Sequence, residues 1–304
     1  MTLVGGDSEL AERLAAAALN EYGALRRVMI SPAETAFGGQ PRLDAVWRDE
    51  EFLGRPDFAE ALREYQRFAQ VLAESGAEIE PFPHAGELGI SAIYIRDSSL
   101  VAPGGVILCR MRNAYRAAEP AALAAYYRAN GIPVVGAIAG DGLLEGGDFV
   151  WFDAKTCAVA EGYRTNAEGI RQLREILGPG VDVRVVPLPH DQGPGACLHL
   201  MSLISPLDAD LALVYSRLMP VPFRAWLLDR GIRLVEVPDE EYGLAMACNV
   251  LALAPRKCLV IEGSPVTRAR LEAAGCEVIA YKGEEISLKG GGGPTCLTRP
   301  LLRG

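Results

Sequence analysis

The sequence lacks the features that mark secreted, membrane-spanning and zinc-binding proteins. It contains only three histidines, and its seven cysteines form no Cys-x-x-Cys pair. Because the cysteines are odd in number and widely spaced, they signal neither a disulfide framework nor a zinc site, and reduced thiols in the cytoplasm fit best. No uninterrupted apolar run approaches the roughly 20 residues that a membrane span requires.

Positive charge is also scarce. The chain of 304 residues has 30 Lys and Arg against 39 Asp and Glu, a formal net charge of −9, which argues against a nucleic-acid partner. The N-terminus lacks the basic start of a secretory signal, and its alanines and acidic residues predict an amphipathic helical extension over residues 1–25. We expect one domain over residues 1–304 and leave open whether the extension forms a homodimer.

One pattern that is present recurs five times: a helix-like segment, a glycine and a short strand. Glycine just beyond the last helical turn is the usual left-handed C-cap. The glycines are Gly76, Gly131, Gly180, Gly231 and Gly275, at intervals of 55, 49, 51 and 44 residues. Each repeat therefore predicts a helix that returns the chain to a new strand.

A second pattern lies between these segments and consists of a polar residue, an apolar run, a turn and another apolar run. The turns APGG, FDAK, SPLDAD and APRK are typical of short connections between buried strands. The leading polar residues are Asp97, Asp148, His199, Asn249 and Cys296, spaced by 51, 51, 50 and 47 residues.

Together the two patterns predict an α/β fold built as a closed ring of five ββαβ units. Equivalent positions of such a ring converge at its centre, so the five polar residues should meet on one face. The alternative, an open doubly wound sheet, lacks its fingerprint, because no Gly-x-Gly-x-x-Gly follows a first strand.

The C-terminal segment LKGGGGPTCLTRPLLRG places four glycines directly before Pro294, Thr295 and Cys296. A planar ligand that slides against the backbone would require positions without a Cβ. The competing interpretation is that the glycines only form a turn and that Cys296 is structural.

Five motifs carry a family resemblance: YIRDSSLV, LEGGDFV, EGYRTNAEG, CLHLMS and GGGGPTCLTRP. In this order, from about residue 90 to residue 299, they resemble the dimethylarginine dimethylaminohydrolases, guanidino-group-modifying enzymes of the pentein fold. The resemblance implies the pentein five-fold propeller, a covalent cysteine mechanism, and neither a metal nor a cofactor.

The resemblance also implies roles for the matching residues. Cys296 matches the nucleophile, His199 the general acid and base, and Glu145 the carboxylate that orients the histidine. Asp97 matches the carboxylate that holds the substrate guanidinium. Two arginines match those that bind the substrate α-carboxylate, namely Arg164 and Arg116, with Arg110 and Arg112 as alternatives to the second.

The chemistry of a guanidinium explains why these residue types are needed. The group is a poor electrophile, so attack requires a thiolate, the most nucleophilic side chain near neutral pH. The departing amine needs a proton, and the water that hydrolyses the S-alkylthiouronium intermediate must lose one; a histidine can do both.

One departure concerns specificity. Related arginine deiminases and amidinotransferases usually read His-x-Asp, whereas here the triplet is His199-Leu200-Met201. An apolar neighbour suits an alkylated guanidinium nitrogen, unless Asp148 supplies the missing charge. We therefore expect hydrolysis of an Nω-methylated L-arginine to L-citrulline and an alkylamine.

Two alternatives stay open. The same nucleophile could serve arginine deimination or amidino transfer, and a non-catalytic pentein could bind a partner such as the ribosome, although the Cys/His pair disfavours binding alone. Asn249 is expected to be structural, and His84 and His190 to be surface groups.

Overall fold

The computed structural model describes residues 19–84, 88–243 and 245–304. In this part of the chain the strands form five three-stranded sheets, in the orders β15–β1–β2, β3–β4–β5, β6–β7–β8, β9–β10–β11 and β12–β13–β14. The strands are β1 (Leu25–Ile30), β2 (Glu78–Pro81), β3 (Ser99–Ala102), β4 (Gly105–Leu108), β5 (Val134–Ala137), β6 (Phe149–Asp153), β7 (Thr156–Glu161), β8 (Asp182–Pro187), β9 (Ile204–Asp208), β10 (Leu211–Val214), β11 (Arg233–Glu236), β12 (Leu251–Ala254), β13 (Lys257–Ile261), β14 (Glu277–Tyr281) and β15 (Thr298–Arg303).

Helices connect the strands and cover the outside of the sheets. They are α1 (Ala33–Phe37), α2 (Gln40–Val46), α3 (Phe58–Glu74), α4 (Glu119–Ala129), α5 (Ala167–Leu177), α6 (Val221–Asp229), α7 (Asp239–Tyr242) and α8 (Pro265–Ala273). None of the described helices is both long enough and apolar enough to cross a membrane.

Each sheet is built in the same way. In the second sheet, β3 and β4 pair antiparallel across Pro103 and Gly104, and the chain then returns through α4 so that β5 lies parallel to β4. Two-residue connections also join β6 to β7, β9 to β10 and β12 to β13. The predicted hairpin turns and the ββαβ unit are therefore confirmed.

The two ends of the chain close the ring. Strand β15 pairs antiparallel with β1, with Thr298 opposite Ile30, and β1 pairs parallel with β2 after α3. The C-terminal strand thus completes the sheet that β1 and β2 begin.

The core lies between the helices and the sheets. Helix α3 shows why: its buried residues Phe68, Val71 and Leu72 follow the i, i+3, i+4 spacing of one helical face. Asp57 caps the same helix by accepting a hydrogen bond from the backbone N–H of Glu60 at 2.9 Å.

Three expectations about single positions need correction or limits. Helix α5 ends at Leu177, and Gly178, with φ of 74°, follows it in place of the predicted Gly180. His84 is not a surface group, because it is 5% exposed and bonds to Ser31 at 2.8 Å. Of the helix predicted over residues 1–25, residues 1–18 lie outside the described part, residues 19–24 are not helical, and Leu25 begins β1.

Candidate active site

The five repeated polar residues each lie just before the first strand of a sheet, and the ring brings four of them to one cavity. This cavity has a volume of about 480 Å³, which suits an amino-acid-sized ligand. Asp97, His199, Asn249 and Cys296 all line it. Residues that are 199 positions apart in the sequence thus share one pocket, as the repeat spacing predicts.

His199 is oriented by Glu145. Nε2 of His199 lies 2.9 Å from Oε2 of Glu145, a carboxylate with no solvent exposure. The other oxygen of Glu145 accepts a hydrogen bond from the backbone N–H of Arg112 at 3.0 Å. Because Nε2 is engaged, Nδ1 is the imidazole nitrogen left for chemistry, and it lies 3.9 Å from Oδ1 of Asp97.

The charges around His199 favour its protonated form. Burial alone would lower the pKa of His199, but the neighbouring Cys197, Asp148 and Asp97 raise that pKa well above its ordinary value. The imidazolium is therefore available to protonate a leaving group at neutral pH.

Asp97 is held as an anion. Its Oδ1 accepts from the backbone N–H of Gly147 at 3.0 Å, and its Oδ2 accepts from Nη1 of Arg116 at 2.7 Å. Burial alone would raise the pKa of Asp97, but His199 and Arg116 lower it to about 2. A buried carboxylate that stays ionised is suited to hold a cation.

The two predicted carboxylate-binding arginines are used differently. Arg116 is buried and also bonds to Glu119 and to the carbonyl oxygen of Tyr94, so most of its donors are engaged. Arg164 reaches Glu145 at 3.3 Å, and its buried Nε has no partner among the described residues. Both line the cavity, whereas Arg110 and Arg112 do not.

The surroundings of the Cys296 thiol raise its pKa and so favour the neutral form. Its Sγ lies 3.2 Å from Nδ2 of Asn249, which donates to it. Burial, followed by the charge of Asp97, raises the pKa of Cys296, while His199 and the Asn249 hydrogen bond lower it. Burial is the largest cause of the raised pKa of Cys296. A cation that enters the cavity would lower this pKa and so favour the thiolate.

Asn249 contributes more than the sequence suggested. Its Oδ1 accepts from the backbone N–H of Thr295 at 3.0 Å and from Oγ1 of Thr295 at 2.8 Å, which turns its NH₂ group toward Cys296. The repeat pattern singled out Asn249 as a structural residue, and the structure adds its hydrogen bond to the sulfur of Cys296.

The glycines before Cys296 allow this chain to pack against itself. A Cβ at Gly292 would lie 2.4 Å from the ring of Tyr94, and one at Gly293 would lie 2.5 Å from Asn249. The absent side chains therefore make room for Tyr94 and Asn249 first, and Gly290, Gly291 and Gly292 also line the cavity. The sequence analysis considered a ligand or a turn as the reason for these glycines, and the packing against Tyr94 and Asn249 is a further reason.

Asp148 does not face the cavity. It is fully buried, and its oxygens accept hydrogen bonds from Oγ1 of Thr165 at 2.7 Å and from the backbone N–H of Leu200 at 3.1 Å. Burial raises the pKa of Asp148 to about 6. The expected contact between Asp148 and the substrate is therefore corrected. Asp148 bonds to Leu200, next to His199, and supplies no charge to the cavity beside Met201.

Comparison with known proteins identifies the family. The family model described as "N,N dimethylarginine dimethylhydrolase, eukaryotic" matches residues 55–303. The chain belongs to the dimethylarginine dimethylhydrolase family. As a member it is a hydrolase that acts on guanidino groups, cleaving C–N bonds of linear amidines.

Individual proteins resemble the chain at lower levels of identity. It is 27% identical to the uncharacterised protein YkgA of Bacillus subtilis over 242 residues, which cover 79% of this chain and 80% of YkgA. It is 26% identical to an arginine deiminase of Rhodococcus erythropolis over 191 residues, 53% of this chain and 46% of the deiminase.

Solved structures confirm the pentein fold. The dimethylarginine dimethylaminohydrolase of Pseudomonas aeruginosa, a Cys→Ser mutant complexed with citrulline, superposes with a TM-score of 0.73 at 23% identity over 92% of this chain and all of that one. The N-terminal domain of the cyanobacterial arginine dihydrolase ArgZ, bound to product, gives 0.77 at 19% identity over 91% of this chain and 97% of that chain.

Within this member of the dimethylarginine dimethylhydrolase family, one side of the cavity is apolar. Met201 lines the cavity together with Met246, Leu198 and Cys248. Asp148 is turned away from these residues, and the carboxylates that line the cavity besides Asp97 are Glu50, Glu51 and Asp191.

A second thiol in the cavity escaped the sequence analysis. Cys197 is exposed, lines the cavity, and places its Sγ 3.6 Å from Nδ1 of His199. Its position two residues before the histidine was a signal, but a cysteine outside the repeated polar positions gave no reason to select it.

Asp97, Glu145 and His199 each offer an atom within 4.8 Å of the others, a spacing that a metal ion could use. Arg116 already binds Asp97, and Arg164 already binds Glu145. Two guanidinium groups beside the carboxylates would repel a further cation of high charge density, so the donor set fits an organic cation better than a metal ion.

Proposed function

We propose that this protein hydrolyses an Nω-methylated L-arginine to L-citrulline and an alkylamine through a covalent intermediate on Cys296. The observation that carries the proposal is the shared cavity of Asp97, His199 and Cys296, which supplies a cation-binding carboxylate, an acid and a nucleophile. Hydrolysis of unmodified arginine is the second candidate, favoured by the similarity to arginine deiminase.

Binding would begin with the guanidinium. The ionised Asp97 accepts hydrogen bonds from its N–H groups, which sets the plane of the group against Cys296. The bound cation favours the thiolate of Cys296, because it offsets the burial that keeps the free thiol protonated. The nucleophile is thus formed when substrate is present.

The reaction would then proceed in two steps, attack by the thiolate and attack by water. The Cys296 thiolate adds to the central guanidinium carbon, and the alkylated nitrogen leaves as an amine after accepting the proton from Nδ1 of His199. A water molecule then adds to the thiouronium carbon while Nδ1 accepts its proton, and the C–S bond breaks to release the ureido product and the thiolate. Glu145 holds the imidazole orientation through both steps.

We propose that Arg164 binds the α-carboxylate of the substrate and that Arg116 positions Asp97. The support is the difference in free donors: Arg164 has a buried Nε without a partner among the described residues, whereas Arg116 is bound by Asp97, Glu119 and Tyr94. An Arg164→Lys variant should therefore raise KM with a smaller effect on kcat, and an Arg116 variant should lower kcat.

The choice of a methylated substrate rests on Met201. An N-methyl group can contact the thioether without leaving an unpaired N–H, whereas unmodified arginine would leave one against an apolar wall. Met201→Asp should shift the ratio of kcat/KM toward unmodified arginine, and Met201→Leu, of similar volume, should not. An equal ratio in the two variants would contradict this assignment.

The activity test is direct. Purified protein is incubated with dimethylarginine, monomethylarginine or arginine, and citrulline is measured. Preference for arginine would favour the deiminase alternative, product that appears only with an added acceptor amine would favour amidino transfer, and no citrulline from any of them would end the proposal.

The covalent step needs its own measurement, because two thiols share the cavity. Mass spectrometry of protein quenched during turnover should place the added mass on Cys296 and not on Cys197. Adduct in the Cys197→Ser protein and its absence in Cys296→Ser would support the assignment, and the reverse would overturn it.

All seven cysteines are free thiols, which supports our placement of the protein in the reducing cytoplasm.

A further inference from the structure

A second cluster of buried charge lies in the ring, formed by Arg96, Arg299 and Arg303. These side chains belong to residues that are 1%, 4% and 6% exposed. One carboxylate of the described residues reaches them, since Oε2 of Glu21 lies 3.2 Å from Nη1 of Arg96. Three cations against one anion leave the cluster with a formal charge of +2.

Several donors of this cluster have no acceptor in the described part of the chain. They are Nη2 of Arg96, Nε of Arg299, and Nε and Nη2 of Arg303. The bonds that the three arginines do make go mostly to carbonyl oxygens: Arg96 to Thr295 at 3.1 Å, and Arg303 to Gly23 at 2.6 Å and to Ala252 at 2.9 Å. Buried donors without partners are rare in native proteins, so these four require an acceptor.

Deprotonation does not relieve the charge. Burial, followed for Arg299 by the charge of Arg96, lowers the pKa of Arg299 and of Arg303 to about 10, which leaves both protonated at neutral pH. A water molecule could accept hydrogen bonds, but it would not neutralise the excess positive charge. An anion would do both.

Two small cavities lie among these groups. The larger, of about 20 Å³, is lined by Arg96, Arg299, Arg303 and Glu21, and the smaller, of about 10 Å³, by Arg96, Arg303 and Glu21 among others. A cavity of this size admits roughly one water-sized particle and excludes phosphate, sulfate and organic acids. Met201 lines the smaller cavity as well as the substrate cavity, so it separates the two sites.

We propose that Arg96, Arg299 and Arg303 bind one chloride-sized anion inside the ring. Arg96 precedes Asp97 directly, and Arg299 and Arg303 belong to β15, the strand that follows Cys296 and closes the ring on β1. The anion therefore ties the closing strand to the segment that carries Asp97. Its role is to stabilise the closed ring, and it takes no part in the reaction.

The first experiment uses the wild-type protein. Crystals grown in bromide should show an anomalous peak within about 3.5 Å of the guanidinium nitrogens of the cluster. A water molecule at that place, or a carboxylate of this chain, would overturn the proposal. This measurement uses no variant, so its result does not depend on whether a variant folds.

The second experiment tests binding in solution. At constant ionic strength, replacement of gluconate by chloride should raise Tm saturably, by roughly 5 °C over the binding range. Arg299→Met and Arg303→Met should each abolish the dependence on chloride, whereas Arg63→Met, which removes an exposed arginine of α3, should retain it. A Tm that ignores chloride, or that responds equally in all four proteins, would contradict the site.

Discussion

The two sides of Met201 show how the same residue types can produce opposite charge environments. Toward the cavity, Arg116 faces both Asp97 and Glu119, and Arg164 faces Glu145. Beyond Met201, Glu21 is the one carboxylate of the described residues that reaches the three arginines, and it pairs with Arg96. The first cluster has three carboxylates for two guanidinium groups and can accept a cation. The second has an excess of positive charge and can accept an anion.

This difference teaches that charge balance, more than burial, decides what each cluster can bind. The residues of both clusters are almost closed to solvent. Opposite charges offset the cost of burial in the first cluster, whereas the second has too few of them. The pKa of Asp97 accordingly falls to about 2 beside His199 and Arg116, while the pKa of Arg303 falls to about 10 because burial dominates.

The largest expected effect separates chemistry from stability. Cys296→Ser should reduce citrulline formation by a factor on the order of 10⁴ or more, because an alcohol is far less nucleophilic than a thiolate. Its Tm should stay near that of the wild type, in contrast to variants of the arginine cluster. Assays of citrulline and thermal unfolding on the same samples check both parts, and retained activity would exclude a mechanism through this cysteine.

A somewhat smaller loss is expected for Glu145→Gln. The neutral amide orients His199 less well and no longer favours the imidazolium, so kcat should fall roughly 10³-fold. His199 must be protonated to release the amine, and a lower pKa means that the proton is lost earlier as pH rises. The alkaline limb of the kcat profile should therefore move to lower pH; an unchanged profile would assign Glu145 a purely structural role.

Arg116→Met tests the balanced cluster directly. Removal of this cation leaves Asp97 and Glu119 buried without their partner, which should lower the free energy of unfolding by about 3–5 kcal/mol. Arg303→Met removes an excess cation and should cost less, especially in buffers without chloride. Urea unfolding of both variants at several chloride concentrations measures the contrast, and equal losses in all conditions would contradict it.

The smallest expected effect concerns Asn249. Asn249→Ala removes the hydrogen bond that its NH₂ group donates to Sγ, which should raise the pKa of Cys296 and lower kcat/KM by roughly 10- to 100-fold. The thiolate absorbance of Cys296 in a Cys197→Ser background, followed against pH, reports the shift. An unchanged thiol titration would return Asn249 to the structural role that its position first suggested.

Much of the ring could be predicted because its signals are local and repeated. The glycine after four of the five repeated helices, the two-residue turns and the spacing of Asp97, His199 and Cys296 each depend on a short stretch of chain. The repetition also predicted the arrangement of the units, because equivalent polar positions of five units meet only if the units form a closed ring.

The orientation of individual side chains could not be predicted in this way. Asp148 occupies a repeated position and yet turns toward Thr165 and Leu200, while Cys197 lies outside the repeat and yet reaches His199. The direction of each side chain depends on partners that fold against it from another unit, and no local pattern encodes those partners.

The sequence by itself determined the five-fold unit and four of the five repeated polar residues that meet in the cavity, because these follow from periodic apolar runs and from chain connectivity. Only the tertiary structure decided that Arg116 is bound to Asp97 and that Arg96, Arg299 and Arg303 lie together beside Glu21. Arg303 bonds to Gly23 across 280 positions. Charge balance in a closed interior depends on such distant neighbours, and the order of residues along the chain does not specify it.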